Sequence, residues 1–69
     1  MTGPLIYQER RLLALCASGL TSKEIAVRQG ISRYTVDEHI ANAVRKLDAC
    51  NRVEAVAEAL AQGIIDALR

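Results

Sequence analysis

The fold of this chain is decided by residues 21–47, which read TSKEIAVRQGISRYTVDEHIANAVRKL. This segment contains two amphipathic stretches separated by Gly30. The first stretch is predicted to form a helix that begins after Thr21 and ends before Gly30, and the second a helix that begins after Ser32 and continues to Leu47. Two helices joined by a short glycine-containing turn form the helix-turn-helix pattern, whose second helix can lie in a groove of DNA. The segment therefore indicates DNA binding.

Side chains at the start of both helices support these boundaries. Thr21 is followed three residues later by Glu24, which is the spacing of a capping box, and Ser32 is a suitable N-cap for the second helix. In the first helix, Ile25, Ala26 and Val27 are expected to face the core. In the second helix, apolar residues at helical spacing predict one buried stripe, formed by Val36, Ile40, Ala43, Val44 and Leu47.

Helical periodicity and glycine positions predict an all-α domain of four helices, over about residues 8–18, 22–29, 33–47 and 52–62. Gly19 and Gly63 follow the first and last of these helices, and Asn51 with Glu54 repeats the capping pattern before the fourth. The fourth helix is apolar on more than one side. Its expected core face is Val53, Val56, Ala57 and Leu60, and its further apolar residues are Ala55, Ala59 and Ala61.

Length and composition limit the function classes. A chain of 69 residues has room for a single domain over residues 1–69, and its net charge of +1 is low for a nucleic-acid binder. Cys16 and Cys50 are too far apart in sequence for a zinc motif, and we expect Cys16 to fill space in the core. We expect no metal, no cofactor and no membrane span, and we expect a cytoplasmic protein. Because no nucleophile lies beside a base, we expect no enzyme activity.

The chain resembles the LuxR-type helix-turn-helix domain, the four-helix DNA-binding module of quorum-sensing receptors and response regulators. The resemblance extends from Leu5 to Ile65. It rests on GLTSKEIA at 19–26, GIS at 30–32, TV at 35–36, HI at 39–40, KL at 46–47, NR at 51–52, AV at 55–56 and GII at 63–65. The pieces at Asn42-Ala43 and Asn51-Arg52 look closer to the quorum-sensing branch.

Two positions depart from the family pattern. Ile6 stands where the family usually has the threonine that caps the first helix, and this change is expected to weaken that helix start. Asp37 stands where the family typically has lysine or another residue that reaches DNA. The resemblance implies that bases are read from Asp37, Glu38 and Ala41, and a carboxylate can accept a hydrogen bond from cytosine N4. Arg33, four residues before Asp37, is placed to offset its charge.

The predicted DNA-contacting surface is the outward face of the third helix together with the start of the second. Arg45 and Lys23 are expected to contact phosphates, along with the free amides of Thr21 and Ser22. Lys46 matches a family position and either contacts a phosphate as well or lies partly on the flank of the helix. Arg52 either contacts a phosphate or is ordinary surface charge. His39 either touches a phosphate or packs on its own helix, and Tyr34 either reaches the DNA backbone or covers the turn. The full predicted set is Thr21, Ser22, Lys23, Arg33, Tyr34, Thr35, Asp37, Glu38, Ala41, Asn42, Arg45 and Lys46.

The resemblance also implies a partner surface on the fourth helix. In the family this helix packs against its two-fold mate, so we expect a weak homodimer through Val53, Ala57, Leu60, Ala61 and Ile64. The alternative is that these residues only close the core of the monomer.

Two functions remain open at this point. The first is a sequence-specific DNA-binding transcription regulator, or the DNA-binding domain of one, acting with RNA polymerase or a missing sensory domain. The second is a protein-interaction module that has kept the fold and lost DNA affinity, as Asp37, Glu38 and the low net charge would allow. The last region of a sigma factor fits less well, because that region ends at its recognition helix.

Overall fold

The computed structural model describes residues 5–66, which form four α-helices and contain no strand. The all-α fold class is therefore confirmed. Each helix bound lies within one residue of the range predicted from the sequence. The helices are α1 (Tyr7–Ala17), α2 (Ser22–Gln29), α3 (Arg33–Lys46) and α4 (Arg52–Ala61).

Local hydrogen bonds determine where the two helices of the central motif begin. The hydroxyl of Thr21 accepts from the amide of Glu24 at 3.2 Å, and the carboxylate of Glu24 accepts from the amide of Thr21 at 2.8 Å. The hydroxyl of Ser32 accepts from the amide of Thr35 at 3.0 Å. Gly30 ends α2 with φ of 69°, in the left-handed region that glycine adopts without a steric penalty. These capping interactions agree with the sequence prediction.

The third helix lies between two groups of buried side chains. The first group joins it to α1 and α2, and the second joins it to α1, α4 and the segment after α4. Because both groups use one side of α3, the other side of this helix is left to the solvent. The first group is Leu12, Leu15, Ile25, Ala26, Val36 and Ile40, and the second is Leu13, Ala43, Ala55, Ala59 and Ile65.

The start of α1 is held by a contact that is distant in sequence. Ile6 occupies the N-cap position and has no side-chain oxygen to accept a hydrogen bond, as its departure from the family pattern predicted. The carboxylate of Glu9 accepts from the amide of Ile6 at 3.1 Å. The ammonium of Lys46 donates to both oxygens of the same carboxylate, at 2.9 and 3.2 Å. Glu9 is only 2% exposed, so this ion pair is largely shielded from water.

Four apolar residues that were expected in the core lie at the surface, namely Val27, Val53, Ala57 and Leu60. Val27 and Val53 are each 77% exposed, and Leu60 is 39% exposed. The inward side of α4 is formed instead by Ala55 and Ala59, which are fully buried. Small side chains allow α4 to approach α1 and α3 closely, and the larger residues of α4 then lie on its opposite side.

Candidate nucleic-acid interface

One side of α3 is open to the solvent along its length. Tyr34 is 74% exposed, and Glu38, Ala41 and Arg45 follow on the same side at i+4, i+7 and i+11, all exposed. Asp37 lies beside this line and is also exposed. The 14 residues of α3 measure about 21 Å at 1.5 Å per residue. The major groove of DNA is about 12 Å wide and admits such a helix.

The start of α2 offers backbone amides and a basic side chain. A helix leaves its first N–H groups without intrahelical acceptors. The amide of Thr21 was expected to be free, but it donates to the carboxylate of Glu24 at 2.8 Å. Glu24 also donates its own amide to Thr21, so Ser22 and Lys23 carry the amides that remain for an external acceptor. The side chain of Lys23 is exposed, whereas Ser22 is buried.

The guanidinium of Arg52 connects the starts of three helices. Its Nη2 atom donates to the hydroxyl of Ser22 at 2.6 Å and lies 3.4 Å from Oδ1 of Asp37. Since one nitrogen atom contacts both oxygens, the start of α2 and the first turns of α3 lie side by side. Arg52 therefore links the start of α2 to the first turns of α3. Neither of the two alternatives from the sequence described this role.

Asp37 is contacted by a second arginine. Nε of Arg33 lies 3.8 Å from Oδ2 of Asp37, which agrees with the pairing expected from their spacing. The two oxygens of the carboxylate thus face different guanidinium groups, those of Arg33 and Arg52. Glu38, the next residue, has no such ion pair within residues 5–66.

The two basic residues at the end of α3 have different surroundings. Arg45 is exposed, and its guanidinium donates to the side-chain oxygen of Asn42 on the same surface. Lys46 was expected to contact a phosphate, but its ammonium is held by Glu9 at 2.9 Å. A phosphate would have to compete with this shielded carboxylate, which argues against a DNA contact by Lys46.

Two further residues of α3 are partly buried. The hydroxyl of Thr35 lies 2.9 Å from that of Ser32 and therefore belongs to the cap of the helix. His39 is half-buried, and its Nδ1 atom is shielded from solvent without a hydrogen-bond partner in the described part of the chain. This burial favours packing over a phosphate contact through Nδ1.

Neither cysteine has the surroundings of a reactive thiol. Burial raises the pKa of Cys16, although the charge of Arg52 acts in the opposite direction. A hydrogen bond with Glu54 and the charge of this residue raise the pKa of Cys50, which is exposed. Both thiols are therefore mainly protonated at neutral pH. Cys16 packs against the first core group, as the sequence suggested.

The outer side of α4 presents apolar residues to the solvent. Val53, Ala57 and Leu60 lie at i, i+4 and i+7 on this side and are exposed, and Ala61 beside them is exposed as well. Ile64 lies beyond the end of α4, after Gly63, and is half-buried because it packs on the second core group. Four of the five residues predicted for a dimer interface thus lie on the side of α4 that faces away from Ala55 and Ala59, whereas Ile64 packs on the group that contains these two alanines.

Residues 5–66 contain no group of three or more side chains that could hold a metal ion. Over the same residues, no helix has both the length and the apolar character needed to cross a membrane.

Four helices, with the exposed face of the third beside the start of the second, define a helix-turn-helix domain. The family model of GerE, described as bacterial regulatory proteins, luxR family, matches residues 4–59. The chain therefore belongs to the luxR family of bacterial regulatory proteins, and the resemblance seen in the sequence is confirmed.

Three comparisons illustrate the membership. The probable transcriptional regulatory protein SgaR of Hyphomicrobium methylovorum is 51% identical over 53 residues, which cover 77% of this chain and 25% of the relative. The quorum sensing-dependent transcriptional regulator RpaR of Rhodopseudomonas palustris is 47% identical over 61 residues, covering 88% of this chain and 25% of the relative. The solved structure of the transcription factor GerE matches with a TM-score of 0.86 and 31% identity, covering 93% of this chain and 96% of that one. The chain thus spans about a quarter of the length of these two curated relatives.

Two contacts that shape this surface were missed in the sequence. Glu9 and Lys46 are 37 positions apart, and Asp37 and Arg52 are 15 positions apart. Both contacts join different helices, so no pattern within one helix points to them. The family pattern includes Glu9, Lys46 and Arg52, and pairing the acidic with the basic positions could have suggested the first contact.

Proposed function

We propose that this chain is the DNA-binding domain of a transcription regulator and that it places α3 in the major groove. One observation carries the proposal. Arg52 binds both Ser22 and Asp37, so the amides at the start of α2 lie beside the exposed face of α3. A helix N-terminus that can bind a phosphate next to a helix that can enter the groove is the arrangement that a helix-turn-helix uses on DNA.

The contacts divide into two kinds. Arg33, Arg45 and Lys23, together with the amides of Ser22 and Lys23, would bind phosphates and set the orientation of the domain. Glu38 and Ala41 would face base edges, with Glu38 accepting from cytosine N4 and Ala41 contacting a thymine methyl group. The remaining proposed contacts are Tyr34, Thr35 and Asn42 at the edge of this surface, and Asp37, which faces Arg33 and Arg52.

The outer side of α4 supports a weak homodimer. Val53 is 77% exposed and Leu60 39% exposed, and isolated apolar side chains of this size gain free energy when a second copy covers them. Alanines at 57 and 61 would let two α4 helices approach closely. A two-fold dimer would bind a pseudo-palindromic site with half-sites about 34 Å apart, which is one turn of the duplex.

The regulatory context follows from the relatives. SgaR and RpaR are named as transcriptional regulators, and RpaR as dependent on quorum sensing, so we extend transcription regulation and quorum sensing to this chain as part of the proposal. Because the chain spans about a quarter of their length, a sensory domain would belong to the complete regulator. We also propose RNA polymerase as a further partner. A regulator of bacterial genes acts in the cytoplasm, which is where we place it.

The test is binding to duplex DNA over a range of salt concentrations. A domain that replaces counterions with Lys and Arg side chains must lose affinity steeply as salt rises, by a slope of about 0.9 per phosphate contact in a double-logarithmic plot. A randomised pool of duplexes should also yield an enriched, pseudo-palindromic sequence. Absence of binding to any duplex at low salt, with the chain folded and dimeric, would instead support a protein-interaction module on the same fold.

A further inference from the structure

The carboxylate of Asp37 is placed between two guanidinium groups on the surface proposed to meet DNA. Its Oδ2 atom lies 3.8 Å from Nε of Arg33, and its Oδ1 atom lies 3.4 Å from Nη2 of Arg52. Two acceptor oxygens, each facing its own arginine, are also what a DNA phosphate presents to a pair of arginines. The Asp37 carboxylate therefore binds these two arginines in the way that a DNA phosphate would.

The two arginines differ in their freedom to move. The Arg33 side chain is 69% exposed and has no other ion pair within residues 5–66, so it can exchange its partner for an external anion. Arg52 is 38% exposed and is also held by the hydroxyl of Ser22 at 2.6 Å. An approaching phosphate would thus compete with Asp37 mainly for Arg33, while Arg52 keeps Asp37 in place.

We propose that Asp37 is a positioning residue that limits affinity for DNA, because its carboxylate competes with the DNA phosphates for the guanidinium of Arg33. This inference rests on the proposed function. It assigns to Asp37 an action through its arginines, in contrast to the direct base contact that the family resemblance implies. The expected consequence is a moderate affinity for DNA of every sequence. Base contacts such as that proposed for Glu38 then determine which sequences the domain prefers.

The matched control is the neighbouring residue. Asp37→Asn and Glu38→Gln each remove one negative charge from exposed positions of the same helix, but only Asp37 is paired with arginines in the described residues. Each of the two substitutions is made both alone and together with Arg33→Gln. The Arg33→Gln change affects a largely exposed side chain and should leave the fold intact. The full chain is titrated with the duplex it enriches from a randomised pool and with a duplex of unrelated sequence.

The expected result has three parts. Asp37→Asn raises affinity for both duplexes about fivefold at about 50 mM salt, because Arg33 then gains one more phosphate contact. The gain is no larger because the exposed ion pair that is lost is weak. This gain shrinks about threefold between about 50 and about 200 mM salt, because the salt slope steepens by about 0.9. The gain is largely lost in the Arg33→Gln background, whereas any effect of Glu38→Gln is the same in both backgrounds.

Other outcomes overturn the inference, and they can be told apart from failure of the proposed function. A change of affinity for only one base position would make Asp37 a base-contacting residue. An equal gain with and without Arg33 would make it a simple repulsive charge, and a lower melting temperature with weaker binding would make it structural. If neither the wild-type chain nor Asp37→Asn binds any duplex, the proposed function fails and this inference fails with it.

Discussion

Replacing Lys46 by methionine should destabilise the domain and leave its phosphate contacts unchanged. The Lys46 ammonium donates to both oxygens of Glu9, at 2.9 and 3.2 Å, on the side of α3 that packs on α1. Methionine keeps most of the aliphatic side chain but removes the charge. The carboxylate of Glu9, only 2% exposed, would then be shielded from water without its cationic partner.

The size of the effect follows from burial. Removing one partner of a buried ion pair costs about 3–5 kcal/mol. The Lys46 side chain is 28% exposed, so water can partly replace it, and we reduce the expected loss to about 2–3 kcal/mol. At about 0.05–0.15 kcal/mol per residue, a chain of 69 residues has a total stability of only about 3–10 kcal/mol. The melting temperature should therefore fall by about 10–20 °C.

The assay combines thermal unfolding, followed by circular dichroism, with DNA binding at a temperature where both proteins are folded. Lys23→Met, at an exposed lysine of α2, is the control for unfolding and should change the melting temperature little. Arg45→Ala is the control for binding and should weaken binding to all duplexes alike, with a salt slope lower by about 1. The combined variant Glu9→Met with Lys46→Met should lose less stability than the two single changes added together.

One result would refute this reasoning. If Lys46→Met unfolded within a few degrees of the wild type and lowered the salt slope as Arg45→Ala does, Lys46 would be a phosphate contact, as its place in the family pattern first suggested.

Three further predictions concern the other surfaces. Leu60→Glu should abolish the dimer while leaving the monomer folded, because Leu60 lies on the outer side of α4; analytical ultracentrifugation would show an unchanged dimer if this side were not the interface. Glu38→Ala should change base preference at one position of a selected site, and stronger binding to every sequence alike would argue against a base contact. Glu54→Gln should speed alkylation of Cys50 near pH 8, because Glu54 raises the pKa of this thiol and its removal increases the thiolate fraction; mass spectrometry of the labelled chain would detect an unchanged rate if it did not.

Local patterns were sufficient for the helices and for the exposed side of α3. The caps at Thr21 and Ser32 and the turn at Gly30 involve residues no more than four positions apart, so their hydrogen bonds can be anticipated along the chain. The buried stripe of α3 also has a clear helical period, since its other side is polar. The exposed side of α3 could therefore be predicted from the sequence, although not what each of its residues contacts.

The orientation of α4 required the tertiary structure. Apolar residues surround most of this helix, so periodicity alone could not distinguish its core side from its outer side. Close packing on α1 and α3 buries Ala55 and Ala59 fully and Val56 partly, and leaves Val53 and Leu60 outside. The surface proposed for dimerisation exists because of this steric requirement.

The partners of the charged residues were likewise decided by the tertiary structure. Lys46 and Arg52 have the same charge and both occur in the family pattern, yet one is held by Glu9 and the other by Ser22 and Asp37. Helix periodicity predicts which side of a helix is polar, because that property depends on neighbours three or four positions away. Which opposite charge a side chain meets depends on how the helices pack, and only the folded chain brings those positions together.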